Sequence, residues 1–377
     1  MKILWFSHFV PFPPRGGNLQ RSFNLIRCLS GTHEVVLVSL NLHSAPRQDI
    51  ADWCHELSQY CSEVQVWDLP FPWKGIRWWE QLLFSPLGAQ PFSTEVLWSE
   101  KLQQQWETCL RRHSDAVVHV DSIDLAQYVN AALRCHRVVL NHHNCESSML
   151  QRRADNARIP LARWYLNSQA GKTARLENDL CARVHVNTAV CDLDRDLLLA
   201  GSPGAHVHVV ENGTDADYFR ASGNEEEPKT LLFAGSLRWY PNVAGLRYFR
   251  QAIWPTICAD MPEVRLYLAG RDPVREILRW ADEDPRVTLA NSPADIRPWF
   301  RRASVFICPI LDGGGTRLKI LDALSMGKAV VATSIGCEGL AVEGDKHLVI
   351  ADEPADFARI CVQLMDDPEH CRRLGAS

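Results

Sequence analysis

The sequence predicts an α/β protein built from two doubly wound domains, each with a parallel sheet. With 377 residues, the chain is long enough for two cores of typical size, about 150 residues each. Short apolar runs alternate with stretches of helical spacing in both halves. A concentration of turn formers and charges separates the halves. We therefore predict a first domain at 1–205, a linker at 206–228 and a second domain at 229–377.

The first half begins with a βαβ pattern. Lys2–Ser7 is an apolar run typical of a strand buried on both faces, and Glu34–Leu40 is a second such run. Between them, apolar residues recur at helical spacing at Leu19, Phe23, Ile26 and Leu29. Further short strands are predicted at 116–120, 138–140 and 183–186.

The alternation restarts after the linker. Strands are predicted at 230–234, 265–269, 286–289, 304–308 and 329–333. Helices are predicted through Leu246 and Phe249, and again up to Met326. The second half is therefore expected to repeat the architecture of the first.

Segment 71–106 departs from this alternation because Trp and Phe side chains are interleaved there with Lys74 and Arg77. Such a surface can lie in a lipid interface, which serves both the apolar ring and the polar N–H of tryptophan. Three prolines interrupt the helical spacing and favour the alternative, in which these aromatics pack in the core. A peripheral membrane contact through 71–106 therefore stays one of two expectations.

The composition excludes several classes of protein. Hydrophobic residues make up 46% of the chain and charged residues 23%, as in an ordinary globular protein, and no run reaches the roughly 18 apolar residues of a membrane-spanning helix. The net charge of −5 gives no basic field, so we expect no nucleic-acid partner. The 13 cysteines form no C-x-x-C pair, and the apolar N-terminus lacks a small-residue cleavage site. We therefore expect reduced thiols and a cytoplasmic location.

The most informative stretch is a triple-glycine loop at a predicted strand-to-helix junction. Gly314 and Gly315 let backbone N–H groups approach a ligand closely, and the helix expected near Thr316 adds its positive dipole end. Thr316, Lys319 and Asp322 share one helix face, which can offer an ammonium to a diphosphate and a carboxylate to ribose. The stretch predicts a nucleotide site, and a plain glycine turn with a solvated Lys–Asp pair is the alternative.

Two more glycine loops follow predicted strands, where ligands of parallel sheets collect. In the second half, Gly235 and Ser236 can bring an N–H group and a hydroxyl to a phosphate, with Arg238 as a charged donor. In the first half, Gly16 and Gly17 form a similar loop. The Gly235 loop is a weak signal alone, but its expected place at the same sheet edge as the triple-glycine loop strengthens the prediction of a phosphate site. The Gly16–Gly17 loop is expected to face these two loops across a cleft.

His143 follows another predicted strand in the order His-His-Asn-Cys. This spacing is poor for zinc, so we expect no metal site there. Two interpretations stay open, a histidine that hydrogen-bonds a sugar or its departing phosphate, and a structural histidine with satisfied partners.

With these residues in view, the chain resembles the retaining glycosyltransferases of family 4, also called group 1, especially a branch that assembles exopolysaccharides and other glycans. The triple-glycine block up to Thr333 is the most specific part of a resemblance that spans roughly residues 1–375. Four segments carry it: His143–Glu146, Glu211–Phe219, Phe233–Leu237 and Ser304–Thr333.

The resemblance implies the GT-B fold, two facing Rossmann-like domains with a cleft between them. It implies metal-independent transfer of a sugar from a nucleotide-sugar donor to an acceptor hydroxyl of a glycan or lipid-linked glycan, with retention at the anomeric carbon and no cofactor. His143 and Lys319 are the implied catalytic residues, and the Gly16–Gly17 loop would meet acceptor or phosphate. The implied donor site is Gly235, Ser236, Arg238, Gly314, Gly315, Thr316, Arg317, Lys319 and Asp322.

The chain departs from the family pattern in its charged residues. The glutamates of the family's E-x7-E pair fall on Gly314 and Asp322, and its phosphate-binding Arg and Lys fall on Ser236 and Pro241. We expect the diphosphate to be neutralised instead by Lys319, helped by Arg317 or Arg238. The alternatives are a non-catalytic protein of this fold that binds nucleotide sugars, and a nucleotide-sugar epimerase or phosphorylase.

Overall fold

The computed structural model describes residues 1–42, 44–70, 75–221 and 225–377. The chain divides into two compact units, Met1–Glu211 and Asn212–Ser377. The division falls within the predicted linker 206–228, of which residues 222–224 lie outside the described residues. The linker range also contains the last strand of the first sheet, Val207–Val209. The sequence did not predict this strand, because Val-His-Val is too short to be distinguished from a loop.

The first unit alternates strands and helices. Its strands are β1 (Lys2–Ser7), β2 (Glu34–Asn41), β3 (Glu63–Asp68), β4 (Val117–Val120), β5 (Val138–Asn141), β6 (Val186–Ala189) and β7 (Val207–Val209). Its helices are α1 (Gly17–Ser30), α2 (Arg47–Leu57), α3 (Ile76–Phe84), α4 (Phe92–Leu97), α5 (Glu100–Arg112), α6 (Ala126–Leu133), α7 (Glu146–Asp155), α8 (Pro160–Arg183) and α9 (Asp192–Gly201), with a 3-10 turn at Ile123–Leu125.

The first sheet is parallel, with the strand order β3-β2-β1-β4-β5-β6-β7. β1 lies inside it, with Ile3 opposite Val35 on one side and Val117 on the other. The order reverses between β1 and β4, and the carboxyl ends of strands at such a reversal leave a crevice where ligands bind.

The second unit repeats this architecture. Its strands are β8 (Thr230–Ala234), β9 (Arg265–Gly270), β10 (Val287–Asn291), β11 (Val305–Cys308), β12 (Ala329–Ala332) and β13 (Val349–Ile350). Its helices are α10 (Tyr240–Tyr248), α11 (Trp254–Asp260), α12 (Arg275–Glu283), α13 (Arg297–Arg302), α14 (Leu318–Ser325), α15 (Pro354–Asp366) and α16 (Pro368–Ala376), with a π-helical segment at Phe249–Ile253.

The second sheet is also parallel, in the order β10-β9-β8-β11-β12-β13. Its order reverses between β8 and β11, so the loops after these two strands meet at the carboxyl edge. Those loops contain Gly235 and the triple glycine, respectively. The fold therefore brings together the two predicted phosphate loops of this unit.

The structure corrects one predicted strand and shows that segment 71–106 has both buried and exposed parts. The strand predicted at 183–186 is wrong, because Arg183 closes the long helix α8 and β6 begins at Val186. In segment 71–106, Trp106 is fully buried and Trp98 packs on the same core, whereas no residue of α3 is buried. Residues 71–74, which include Trp73 and Lys74, lie outside the described residues. None of the helices within the described ranges has the length and apolar character needed to cross a membrane.

Candidate functional site

Lys319 lies in the first turn of α14, at the reversal point of the second sheet. Its Nζ donates a hydrogen bond to Asn242 Oδ1 over 2.6 Å and lies 4.3 Å from the centre of the Phe233 ring. Asn242 is held in turn, because its Nδ2 donates to the Ser236 carbonyl oxygen over 2.7 Å. The ammonium is thus fixed in place by neutral partners.

Arg317 folds back over the glycine loop. Its Nη1 donates to the carbonyl oxygens of Gly314 and Gly315, the latter over 2.7 Å, while its Nη2 is buried with no hydrogen-bond partner among the described residues. In the described part of the chain, neither Arg317 nor Lys319 forms an ion pair with a carboxylate. Because a half-buried cation without a counter-ion is costly, this pair of cations can receive an anion.

The lack of a carboxylate partner also affects the pKa of Lys319. Burial lowers its pKa from 10.5 to about 8, the Cys308 thiol opposes this effect, and the charge of Arg317 adds to it. A diphosphate bound near Nζ would favour the charged form and raise the pKa again. Anion binding and protonation of Lys319 are therefore coupled.

Gly235 makes room for this lysine. Its φ of +139° is in the region that favours glycine, and a Cβ there would lie 3.0 Å from Lys319 Nζ and 3.2 Å from Asn242 Nδ2. Its N–H group donates to the Ala269 carbonyl oxygen over 3.0 Å. The structure thus uses Gly235 to admit Lys319, not to present its N–H group to a phosphate as the sequence suggested.

The triple-glycine loop has the backbone freedom that the sequence predicts. Gly313 has a φ of +120° and Gly315 a φ of +64°. Helix α14 begins at Leu318 with Arg317 as its N-cap, two residues later than expected. Within its first turn, the Ile320 N–H group donates to the Arg317 carbonyl oxygen over 2.9 Å, and the helix start adds positive potential beside the two cations.

Two other predicted donor residues, Thr316 just before α14 and Asp322 within it, hold a neighbouring segment. Thr316 Oγ1 accepts a hydrogen bond from Asn212 Nδ2, and Asp322 Oδ1 accepts one from Thr214 Oγ1, each over 2.6 Å. The Asn-Gly-Thr segment is thus attached along the helix face that the sequence had assigned to ribose and phosphate. Arg238 is exposed and takes part in none of these contacts.

The first unit has its own polar cluster at the reversal point between β1 and β4, and the sequence did not single out its central residue, Asp121. This side chain is completely buried after β4 and accepts hydrogen bonds from three side chains, Ser7 Oγ at 3.2 Å, Ser22 Oγ at 2.6 Å and Asn141 Nδ2 at 3.1 Å. His143 Nε2 lies 3.5 Å from Asp121 Oδ1, and His119 Nε2 lies 3.7 Å from it.

Charge keeps Asp121 ionised in this cluster. Burial alone would raise the pKa of Asp121, but the His143 and His119 imidazoles outweigh it and hold that pKa well below its usual range. Arg21 lies beside them, with Nη2 donating to Asn141 Oδ1 over 3.2 Å. Burial lowers the pKa of Arg21 to about 10, and the charge of Asp121 opposes this effect.

The two adjacent histidines have different surroundings. His142 Nε2 lies 3.1 Å from Asn187 Oδ1 in the interior, and burial lowers the pKa of His142 to about 4. His143 instead joins Asp121 at the carboxyl edge.

The Gly16–Gly17 loop lies at the start of α1, the helix that carries Arg21 and Ser22. Gly16, with a φ of +108°, is the N-cap of this helix, and Gly17 is its exposed first residue. No group of three His, Cys, Asp or Glu side chains within the described residues is arranged to hold a metal ion.

Comparison with known proteins finds sequence matches in the second unit. Residues 228–367 match the family model described as glycosyl transferases group 1, which confirms the resemblance found in the sequence. An uncharacterized 44.6 kDa protein in the cps region of Klebsiella pneumoniae is 32% identical over 136 residues. That match covers 34% of this chain and only 35% of the relative.

Solved structures resemble the whole chain in fold. Sucrose-phosphate synthase from Thermosynechococcus elongatus superposes with a TM-score of 0.74 at 13% identity, covering 100% of this chain and 92% of that one. Anabaena HepE in complex with UDP-glucose gives 0.65 at 14% identity, with 100% and 93% covered. TarM from S. aureus gives 0.70 at 9% identity, with 100% and 94% covered. These likenesses confirm the predicted GT-B fold class.

Proposed function

We propose that this protein transfers a sugar from a nucleotide-sugar donor, bound by the second unit, to a hydroxyl of a glycan or lipid-linked glycan. One observation carries the proposal: Lys319 and Arg317 lie together at the reversal point of the sheet without a carboxylate partner among the described residues. Two fixed cations beside a helix N-terminus match the charge of a diphosphate. The family match of this unit supports the same assignment.

The chemical demand is to stabilise the negative charge that develops on the diphosphate as its bond to the sugar breaks. Lys319 serves this purpose in its protonated form, because Asn242 and the Phe233 ring hold the ammonium without neutralising it. Arg317 adds a second positive charge, and its buried Nη2 has a hydrogen bond to give. Because these two cations can stabilise the diphosphate charge, we propose that the transfer needs no metal ion.

We assign the acceptor side of the reaction to the cluster around Asp121. The carboxylate lies 3.5 Å from His143 Nε2 and positions that ring at the carboxyl edge of the first sheet. His143 then orients a hydroxyl of the donor sugar or of the acceptor, and the exposed Gly16–Gly17 loop contributes backbone N–H groups on the same edge. Retention at the anomeric carbon and a cytoplasmic location stay predictions.

Known proteins support the substrate classes in this proposal. The structure of Anabaena HepE contains UDP-glucose, and one of TarM contains UDP with fondaparinux and α-GlcNAc-glycerol. The relative from Klebsiella pneumoniae is placed in a cps region. A uridine diphosphate sugar is therefore the first donor to test, with an oligosaccharide or a polyprenyl-linked saccharide as the acceptor.

The test combines binding with turnover. A panel of nucleotide sugars is screened by thermal shift, since a ligand that binds the folded state raises the melting temperature. The stabilising sugar is then used in a nucleotide-release assay with and without acceptor. Lys319→Met is expected to lower turnover about 100-fold or more, by analogy with the loss of one oxyanion donor. Lys346→Met, an exposed lysine of the same unit, is the matched control.

The outcomes separate the alternatives. Nucleotide release that requires the acceptor supports a transferase. Donor consumption without any acceptor indicates an epimerase or phosphorylase of this fold. Binding without release, across all acceptors, indicates a non-catalytic nucleotide-sugar protein. Turnover of Lys319→Met near the wild-type value would remove the proposed role of the ammonium.

A further inference from the structure

Helix α3 has an unusual surface for a globular protein. None of its nine residues is buried, although it contains Ile, Leu, Trp and Phe. Ile76, Trp79 and Leu83 recur at i, i+3 and i+7 and form one apolar stripe along the helix. Phe84 at the end of the helix and Leu87 beyond it continue the exposed apolar surface.

A second exposed apolar group lies at the start of α8, in residues that the sequence did not single out. Ile159, Leu161 and Trp164 are 66%, 72% and 56% exposed. Apart from Met1, every described large hydrophobic residue that is more than half exposed belongs either to this group or to that of α3. Exposed apolar side chains in this protein are therefore concentrated, which indicates an interaction surface.

Hydrogen bonds attach the two groups to each other. Ser85, the C-cap of α3, lies with its Oγ 3.0 Å from Tyr165 OH and accepts a hydrogen bond from Gln169 Nε2 over 3.2 Å. Lys172 Nζ donates to the carbonyl oxygens of Ser85 and Pro86. The end of α3 is therefore tied to the first half of α8. We call the combined surface, comprising Ile76, Trp79, Leu83, Phe84, Leu87, Ile159, Leu161 and Trp164, the apolar platform.

The charge beside the platform is positive in a chain whose net charge is −5. Residues 152–163 carry four arginines and one aspartate, and Arg158 and Arg163 on either side of Ile159 and Leu161 are exposed. Each arginine near an anionic bilayer contributes about fivefold in affinity. Tryptophan and phenylalanine beside arginine are the side chains that settle at the headgroup level of a bilayer.

We propose that the apolar platform docks on a bilayer of anionic lipids, with its hydrophobic side chains at the acyl boundary and Arg158 and Arg163 on the headgroups. This proposal narrows the membrane contact predicted for 71–106 to residues 75–87 and adds residues 159–164. Phe92, Trp98 and Trp106 take no part, because they pack on the first unit. The proposal does not rest on the transferase activity, since docking requires no nucleotide.

The test is vesicle flotation of the full chain. One set of vesicles is pure phosphatidylcholine, and the other contains equal parts of phosphatidylcholine and phosphatidylglycerol. Three double variants test the α3 stripe, the apolar group of α8 and the two arginines in turn. They are Trp79→Gln with Leu83→Gln, Leu161→Gln with Trp164→Gln, and Arg158→Glu with Arg163→Glu. The matched control is Leu278→Gln with Arg279→Glu, an exposed pair on α12. All changed side chains are exposed, and circular dichroism checks the fold of each variant.

We expect the wild type and the control to float with the anionic vesicles and to bind pure phosphatidylcholine at least tenfold more weakly. Each of the three platform variants should bind the anionic vesicles at least tenfold more weakly than the wild type, and added salt should weaken wild-type binding. Absence of flotation overturns the proposal, as does flotation that all three variants retain. A concentration-dependent dimer that Trp79→Gln with Leu83→Gln abolishes, without vesicle binding, would assign the face to a second copy and also overturn it. Nucleotide release with a water-soluble acceptor reports separately on the transferase proposal.

Discussion

Replacing Lys319 with methionine should stabilise the free protein and abolish its response to a nucleotide sugar. The lowering of the Lys319 pKa from 10.5 to about 8 corresponds to roughly 3 kcal/mol of unfavourable burial of the charged form, at about 1.4 kcal/mol per pKa unit. Methionine removes this cost but leaves Asn242 Oδ1 without its donor and removes the contact of the ammonium with the Phe233 ring, together about 2 kcal/mol. The variant should therefore gain about 1 kcal/mol in free energy of unfolding at pH 7.

The pH dependence of this gain identifies its cause. Because burial lowers the pKa in the folded state, the cost is fully present below about pH 8 and falls as the native lysine loses its proton between pH 8 and 10.5. The advantage of Lys319→Met over the wild type should therefore shrink across that interval. Urea unfolding of both proteins at pH 7 and pH 10 measures it, with Lys346→Met as the control for an exposed lysine.

The same experiment with a nucleotide sugar completes the test. At a concentration of 100 times Kd, a ligand adds about 2.7 kcal/mol to the stability of a protein that binds it. The wild type should show this gain with its preferred donor, and Lys319→Met should show little of it. A variant that is less stable than the wild type by 1 kcal/mol or more at pH 7, yet retains the full gain from the donor, would refute the argument that the ammonium is kept for an anion.

Three further predictions follow from the geometry. Asp121→Asn should lower nucleotide release about tenfold or more, because the imidazole loses its anionic partner, while the thermal shift given by the donor stays unchanged. Gly270→Ala should lower the free energy of unfolding, measured in urea, by about 3 kcal/mol or more, since its Cβ would lie 1.7 Å from the Gly235 carbonyl oxygen. The control Gly171→Ala, whose Cβ would meet open space within α8, should instead raise the free energy of unfolding by about 0.5–1 kcal/mol. The donor KM should rise as the pH increases beyond about 8, because Lys319 loses its charge, and a constant KM from pH 7 to 9.5 would contradict this.

The strands whose bounds could be predicted from the sequence are those buried on both faces. β1 and β8 lie inside their sheets as unbroken apolar runs, so their bounds follow from the sequence alone. β3 lies at an edge and alternates polar with apolar residues, and its side chains are only partly buried. β7 has three residues. Neither presents an apolar run long enough to be distinguished from a loop.

The loops of the candidate site were predictable because glycines after buried strands mark the carboxyl edge of a parallel sheet. The partners of the functional side chains were not. A single aspartate after β4 belongs to no motif, and its importance emerges only when β1, β5 and α1 bring hydroxyl, amide and imidazole groups to it. The purpose of Gly235 likewise depends on how far the side chain of Lys319 reaches.

Two buried lysines, Lys172 and Lys328, contrast with the half-buried Lys319 and support a ligand as the partner of Lys319. Lys172 Nζ donates to two backbone carbonyl oxygens, those of Ser85 and Pro86. Lys328 Nζ has a carboxylate partner at 3.2 Å in Glu226 and donates to the Ala303 carbonyl oxygen over 2.8 Å.

Lys319 has one amide oxygen and an aromatic ring, and Arg317 beside it disfavours its charge. A fold under selection for stability alone would replace such a lysine with an apolar residue. Its presence at the reversal point of the sheet therefore supports the proposal that an anion supplies the missing charge.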